Sequence, residues 1–400
     1  MVDLEAEITK FNAGRDRERL AMKYRQMRAS PFQFLRGTCH LFYARLSTGG
    51  LLQEGPPAWV CGDMHLQNFG SYKGDNGLIY FDINDFDEAC LAPSLFELVR
   101  MLTSVLVAAD ELHLSRAEAL SLCHVAVESY GAALRRGKAR WIEPELADGM
   151  VRELFDSLHK RSRADLLNRR TDLNGKKRAL RLDGKKALPV TKHERDAVMA
   201  FVSEFSSRQQ NPDFYRPIDV ARRIAGTGSL GVDRYVILVE GKGSPDGNYL
   251  LDLKEALPSS VVSHVNVSQP RWNSEGERVV AIQQRAQAVS QAFLQAVSFK
   301  NRSYVLRSLQ PAEDRVDLSN WNGKLSRLEM VIDNMAQLSA WAQLRSSGRQ
   351  GSATADELIA FGDRKDWQLP LTEIASRCAE QVAIDWRAYC IRFDQGAFNA

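Results

Sequence analysis

The sequence predicts an α+β fold built as two unequal lobes, the larger one mostly helical. Three features point to it. Short β-like runs alternate with turns from about residue 38 to 84, and a second β-rich stretch runs from about 219 to 266. Segments with helical apolar spacing lie on both sides of that second stretch. The chain has 400 residues, 44% of them apolar, which is enough to bury a large core.

Residues 1–37 are expected as an N-terminal helical segment. It carries the basic, helix-prone "RDRERLAMKYRQMRA" (15–29), ended by Ser30-Pro31. Residues 38–209 are expected as one part of the large lobe. Within it the turn Gly74–Gly77 separates "FGSYK" from "LIYFDI", the pattern of a hairpin. The spacing is helical from Pro93 to Arg163, and Ser115 with Glu118 makes a capping box. Residues 160–193 are basic and poor in large apolar groups. They read first as a solvated connection and second as a phosphate-facing surface. A short helix is expected near 193–207.

Residues 210–312 form the predicted small β-rich lobe, with a helix over 277–296 and a strand over 303–309. Residues 313–400 return as helices to the large lobe: 324–346, then the break "SSGRQGS", then two more. Thr354 and Glu357 make a second capping box.

The 53 basic and 50 acidic residues leave a net charge of +3, so charge gives no default for nucleic acid or anionic membrane as a partner. Six scattered cysteines without a C-x-x-C pair read as reduced thiols of a cytoplasmic protein. The N-terminus lacks the apolar run of a secretory signal. The longest apolar stretch, "MLTSVLVAA", is too short to span a bilayer.

The first chemical constellation is "CGDMHLQNFG" (61–70), followed by "FDINDFDEA" (81–89). Kinase-type phosphoryl transfer needs an aspartate to orient the attacking hydroxyl, and an asparagine and a second aspartate to hold Mg²⁺; in protein kinases that asparagine follows the catalytic aspartate by five residues. Asp63 and Asn68 have that spacing. The hairpin then leads to Asp85-Phe86-Asp87, where a kinase has Asp-Phe-Gly. Asp85 is the preferred metal ligand, and Asp82, at the end of a strand, is the alternative.

The second constellation is "GTGSLG" (226–231), a G-x-G-x-x-G run. A dinucleotide fingerprint would open a helix here, whereas a kinase loop joins two strands over the ATP phosphates. The run is followed by β-like "VDRYVILVEG", a polar turn and "YLLDLKEA". Gly226, Thr227, Gly228, Ser229 and Gly231 are therefore expected at the phosphates, with Lys254 gripping them from the third strand. Both sets of residues are in the reverse of the usual kinase order, and a circular permutation accounts for that economically. The glutamate that kinases pair with this lysine is missing: Glu277, Gln283, Gln284 or a different arrangement must replace it.

The segment "CGDMHLQN…DFDEACLAPSLFELVRML" resembles the aminoglycoside-phosphotransferase branch of kinases, His65 included. It departs at Cys61, where a histidine is usual, and at Glu97, where a structural aspartate is usual. The whole chain resembles an uncharacterised bacterial domain-of-unknown-function family. That resemblance rests on "KYRQMRASPFQFLRGTCHLFY", "CGDMHLQNFGSY", "FDINDFDEA", "RRIAGTGSLG", "RVVAIQQRAQ" and "CAEQVAIDW". It looks kinase-like and implies no substrate. Two departures, Ala281 for a glutamate and "AQLR" for an Ala-His-Ala-Arg-like run, affect the lysine's partner and any role of that histidine.

The expected function is an ATP- and Mg²⁺-dependent phosphotransferase acting on a hydroxyl-bearing acceptor, with Asp63 and His65 as the catalytic candidates. A nucleotide-binding pseudokinase or an adenylyl-transferring enzyme of the same fold is the first alternative. A metal-dependent phosphohydrolase using Asp63 and His65 is the second, although the other histidines lack the runs that chemistry needs.

Overall fold

The computed structural model describes residues 3–46, 49–311 and 314–398. It is a mixed α+β chain. A six-stranded antiparallel sheet has the spatial order Gln295–Phe299, Arg302–Ser308, Tyr249–Glu255, Arg234–Val239, Pro217–Arg223, Ala187–Leu188. Its central strands are rich in Val, Ile, Leu and Tyr, which suit a pleated, buried surface. The helix Glu275–Ala286 covers the sheet near its Gln295–Ser308 edge.

The rest is mainly helical. Ser94–Val107, Arg116–Arg136, Leu325–Arg345, Ala355–Asp363 and Gln368–Asp394 pack on one another. Ser94–Val105 is buried all round, its polar side chains Glu97, Arg100 and Ser104 included, because these bond the Cys61–Leu66 loop. One apolar core runs from Ile8 to Phe398, so both chain ends close the same body. The Tyr389 hydroxyl donates to the Tyr24 carbonyl at 2.9 Å, and Arg28 pairs with Asp394 at 2.7 Å.

The predicted hairpin forms as Phe69–Lys73 against Ile79–Ile83. Both predicted capping boxes are present, joined by two more, Ser162/Asp165 and Thr191/Glu194. The other expected helices lie at Arg17–Ala29, Lys192–Ser207 and Leu325–Arg345.

Three expectations need correction. The β-like reading of residues 38–46 fails: Ser30 caps a new helix, Pro31–Gly37, with proline at its first position, and Cys39–Arg45 follows as another. The helix drawn over 277–296 stops at Ala286, and 295–299 is a strand. Beyond Ala286 the hairpin satisfies the polar groups instead. Gln287 donates to the Ile83 carbonyl (2.8 Å), and the Ala292 N–H donates to the Lys73 carbonyl (2.9 Å). Residues 160–193 are not a bare connection but fold as a helix (Arg163–Arg170), a hairpin and a sheet-edge strand. Three of their apolar residues, Leu167, Leu180 and Ala187, are gathered against Val236, Leu238 and Leu250.

Candidate functional site

Asp63 leaves the end of the short strand Pro57–Val60 through a tight turn. Gly62 makes that turn at φ +81°, and a Cβ there would lie 2.2 Å from the Glu88 carbonyl oxygen, so only glycine fits. Glu97, inside the apolar helix, accepts the Cys61 N–H at 2.5 Å. Burial pushes the Glu97 carboxyl up from its ordinary 4.5 to about 8, the hydrogen bond only partly opposing it.

Arg100, one helical turn after Glu97, is wholly buried and holds Asp63. Its Nε donates to Oδ1 at 2.9 Å and its Nη2 donates to the same oxygen and to the Leu35 carbonyl. The second oxygen of Asp63 faces the glycine-rich loop.

His65 is buried against the edge of Phe32, and its Nδ1 accepts the Gln67 N–H at 3.1 Å. Burial first, then Arg36, Arg100 and Arg315, hold the imidazole neutral. It caps the 3₁₀ turn Leu66–Asn68.

Asn68 ties the two aspartate segments together. Its Nδ2 donates to the backbone carbonyls of Asp63 (3.1 Å) and Asp85 (3.2 Å), which fixes the amide's orientation. Its Oδ1 is buried without a hydrogen-bond partner. A buried carbonyl-type oxygen left open beside a carboxylate is the donor set of a hard cation such as Mg²⁺, which takes few protein ligands and completes its shell with phosphate and water. Asn68 and Asp85 fit that ion. Among the described residues no group of three or more His, Cys, Asp or Glu side chains forms a metal cage.

Asp85 and Asp82 lie in different surroundings. Asp85 lines the cavity described below. Burial opposes its ionisation, but Lys254, Arg307 and Arg234 outweigh burial and hold its carboxyl below the ordinary range. Asp82 is absent from the lining and buried. Its Oδ2 accepts from Arg345 and the Ala288 N–H, both at 3.2 Å, and burial pushes its carboxyl up.

Lys254, on the strand Tyr249–Glu255, is 3.9 Å from Asp85 and pairs closely with Asp87. Asp87 therefore takes the lysine that the sequence left without a partner. Neither Glu277 nor Gln283 does so. Glu277 closes its own helix start through the Asn273 N–H (3.0 Å), and Gln283 donates to Gln287 and Gln291. The covering helix acts through Arg278 instead, which donates to the backbone carbonyls of Asp87, Ala89 and Leu257.

The glycine-rich loop turns between Pro217–Arg223 and Arg234–Val239, with Gly226 at φ +72° and Gly231 at φ +86°. A Cβ on Gly228 would lie 3.0 Å from the Arg36 carbonyl oxygen and 3.9 Å from Oδ2 of Asp63, so the loop sits directly over that carboxylate. N-terminal helices hold it there. The Gly228 carbonyl accepts from Arg15 (2.7 Å) and Lys23 (3.3 Å), and the Gly231 carbonyl accepts the Asp16 N–H (2.9 Å). The Thr227 hydroxyl lies within reach of Gln26 (3.1 Å) and Gln33 (3.0 Å), and the Ser229 hydroxyl donates to Asp87 at 3.4 Å.

The two constellations, over 130 residues apart in sequence, line one cavity of about 250 Å³. Asp63, His65, Asn68, Asp85, Gly226, Thr227, Gly228 and Ser229 are all in its wall. Lys254 stands behind Asp87, whereas Gly231 and Asp82 lie outside the lining. Arg100, Asp87 and Arg278 escaped the sequence reading as partners. Arg100 and Arg278 lie within amphipathic or apolar helical spacing, and only the aspartate at the usual glycine position signalled Asp87.

The site thus defines a cleft where a carboxylate-bearing loop meets a glycine-rich turn and a sheet-borne lysine. The chain belongs to the family described as "Uncharacterized protein conserved in bacteria (DUF2252)", which matches residues 15–392. No curated protein and no solved structure matches it significantly. No helix among the described residues is long and apolar enough to cross a membrane.

Proposed function

We propose that this protein is an ATP- and Mg²⁺-dependent phosphotransferase with a circularly permuted, kinase-like two-lobe fold. One observation carries the reading. Asp63, the open Oδ1 of Asn68 and the Asp85 carboxylate share a cavity with a glycine-rich turn, while Lys254 stands 3.9 Å from Asp85. The chain order supports the permutation: glycine-rich turn, lysine strand, covering helix and two further strands follow the catalytic loop, and Leu325–Arg345 then packs back on the helical part.

In this mechanism Asn68 and Asp85 would hold Mg²⁺, which would supply charge neutralisation at the phosphates. Glycine-loop N–H groups and Lys254 position them. Lys254 exchanges part of its contact with Asp87 for phosphate oxygens. The Asp63 oxygen not bonded to Arg100 accepts the acceptor's hydroxyl proton. The hydroxyl oxygen bonds to the γ-phosphorus as the bond to the β–γ bridging oxygen breaks, and ADP leaves with that electron pair. Arg100 keeps the carboxylate aimed, and His65, neutral and capping, shapes the loop. Most of the acceleration comes from positioning and charge neutralisation.

A second reading is a nucleotide-binding module without transfer, favoured by the ion pairs that engage both Asp63 and Lys254. Adenylyl transfer is the third. Incubation with γ- or α-labelled ATP and Mg²⁺ separates them. Label retained from γ-ATP and lost in Asp63→Asn supports phosphotransfer; label from α-ATP replaces it with adenylylation. Binding of a non-hydrolysable ATP analogue with no label from either leaves the module. The phosphohydrolase reading requires phosphate release without nucleotide.

A further inference from the structure

The cavity wall beside Asp63 carries two guanidinium groups that ATP binding by the loop, Lys254 and the metal does not use. Arg36, the penultimate residue of Pro31–Gly37, is 8% exposed. Its Nη1 donates to Gln33 at 3.0 Å, and its Nε is buried with no partner. Arg315 lies between the strand Arg302–Ser308 and the helix Leu325–Arg345. The Ser71 N–H donates to the Asp314 carbonyl at 2.7 Å and fixes the backbone one residue before it. Both arginines line the cavity, and neither makes an ion pair with a carboxylate among the described residues.

This is an expensive arrangement unless an anion completes it. Arg36 is buried and Arg315 half-buried beside it, so the two like charges repel, and the unpartnered Arg36 Nε–H has lost its water. Burial and then Arg315 lower Arg36 to about 10, while Asp63 and Asp85 act on it without bonding to it. Both arginines share the cavity wall with Asp63 and His65, and the Arg36 carbonyl borders the Gly228 position that faces Oδ2 of Asp63. Arginine's planar fork matches the paired oxygens of phosphate or carboxylate.

We propose that Arg36 and Arg315 form a subsite for an oxyanion, a phosphate or carboxylate, carried by the acceptor whose hydroxyl meets Asp63. The acceptor's identity as a substrate rests on the phosphotransferase reading; the oxyanion site does not. The rival source of the same chemistry is the terminal phosphate of the nucleotide.

Calorimetric titration with inorganic phosphate, with and without saturating Mg²⁺ and the non-hydrolysable analogue AMP-PNP, tests this on the full chain. Phosphate is expected to bind alongside the nucleotide. Arg315→Gln and Arg36→Gln should each weaken phosphate at least about tenfold, while AMP-PNP affinity stays within about twofold. Arg315 is the less buried, so Arg315→Gln with an unchanged melting temperature serves if Arg36→Gln fails to fold. The proposal is overturned if wild type binds no phosphate or if the variants bind it unchanged. It is equally overturned if AMP-PNP excludes phosphate, or if nucleotide affinity falls in parallel, which would give the arginines to the nucleotide. If wild type binds arginine-dependent phosphate but no AMP-PNP, the phosphotransferase reading fails and the oxyanion site stands.

Discussion

The loop of Asp63 and the loop of Gly228 face each other across one cavity, but they are held in opposite ways. The Asp63–Asp87 segment is braced from within. Gly62 admits the Glu88 carbonyl, Asn68 bridges the Asp63 and Asp85 carbonyls, and Glu97 and Arg100 reach it from a helix about 40 residues on. The glycine-rich turn closes on itself through three backbone bonds, from the Ser229, Leu230 and Val232 N–H groups to the Gly226, Thr227 and Ser229 carbonyls, and the rest of its bracing comes from outside. Its carbonyls are held by Arg15, Asp16 and Lys23, some 200 residues earlier in the chain. The carboxylate side is therefore braced largely by its own segment and one nearby helix, whereas the glycine-rich side leans more on docked N-terminal helices and can adjust locally.

The sharpest break in this comparison is Asp63→Asn. It keeps the side chain's size and one hydrogen-bond acceptor, so nucleotide affinity should hold within about twofold while turnover falls about 10²–10⁴-fold. Steady-state and binding assays on the same preparation check this, and undiminished turnover would sink the assignment.

The two neighbouring aspartates come next. Asp85→Asn should weaken Mg²⁺-dependent AMP-PNP binding by about tenfold or more, because it removes the negative charge from the proposed Asn68–Asp85 ligand pair. Asp82→Asn should leave that affinity nearly unchanged and lower the melting temperature, since Asp82 bonds Arg345 outside the cavity. The reverse pattern would make Asp82 the ligand.

Glu97 sharpens the comparison through pH. Its folded pKa of about 8 exceeds the ordinary 4.5, so its favourable contribution is complete below about 4.5 and is lost as pH rises through 8. Glu97→Gln keeps an acceptor for the Cys61 N–H without the ionisation. Its melting temperature should rise relative to wild type between pH 4.5 and 8 and then level off. A difference independent of pH would show that Glu97 does not titrate in this window.

The smallest expected effect falls on the other loop. Lys23→Met fills similar volume but removes the longer of the two bonds to the Gly228 carbonyl, leaving the one from Arg15. Hydrogen exchange at residues 226–232 should quicken several-fold, with exchange at 61–70 unchanged. Equal acceleration of both loops would mean that they are a single cooperative unit.

Local patterns were readable along the chain because their causes are local. The capping boxes, the Gly74–Gly77 hairpin and the five-residue step from Asp63 to Asn68 depend on neighbours within a few positions. Residues 38–46 and 287–294 were misread because distant groups decide them. Ser30-Pro31 ends the helix Arg17–Ala29 as expected but also starts another that leads into Cys39–Arg45, and the polar groups past Ala286 are satisfied by a hairpin 200 residues away.

The sequence alone therefore determined the residue types available to the site and their short-range spacing, since backbone geometry and side-chain chemistry are carried by neighbouring residues. Tertiary structure decided which carboxylate meets Lys254, which arginine aims Asp63, and that Asp82 stays outside the cavity. Those choices follow from burial and from pairing between segments tens to hundreds of residues apart, where the requirement to partner each buried charge selects one arrangement.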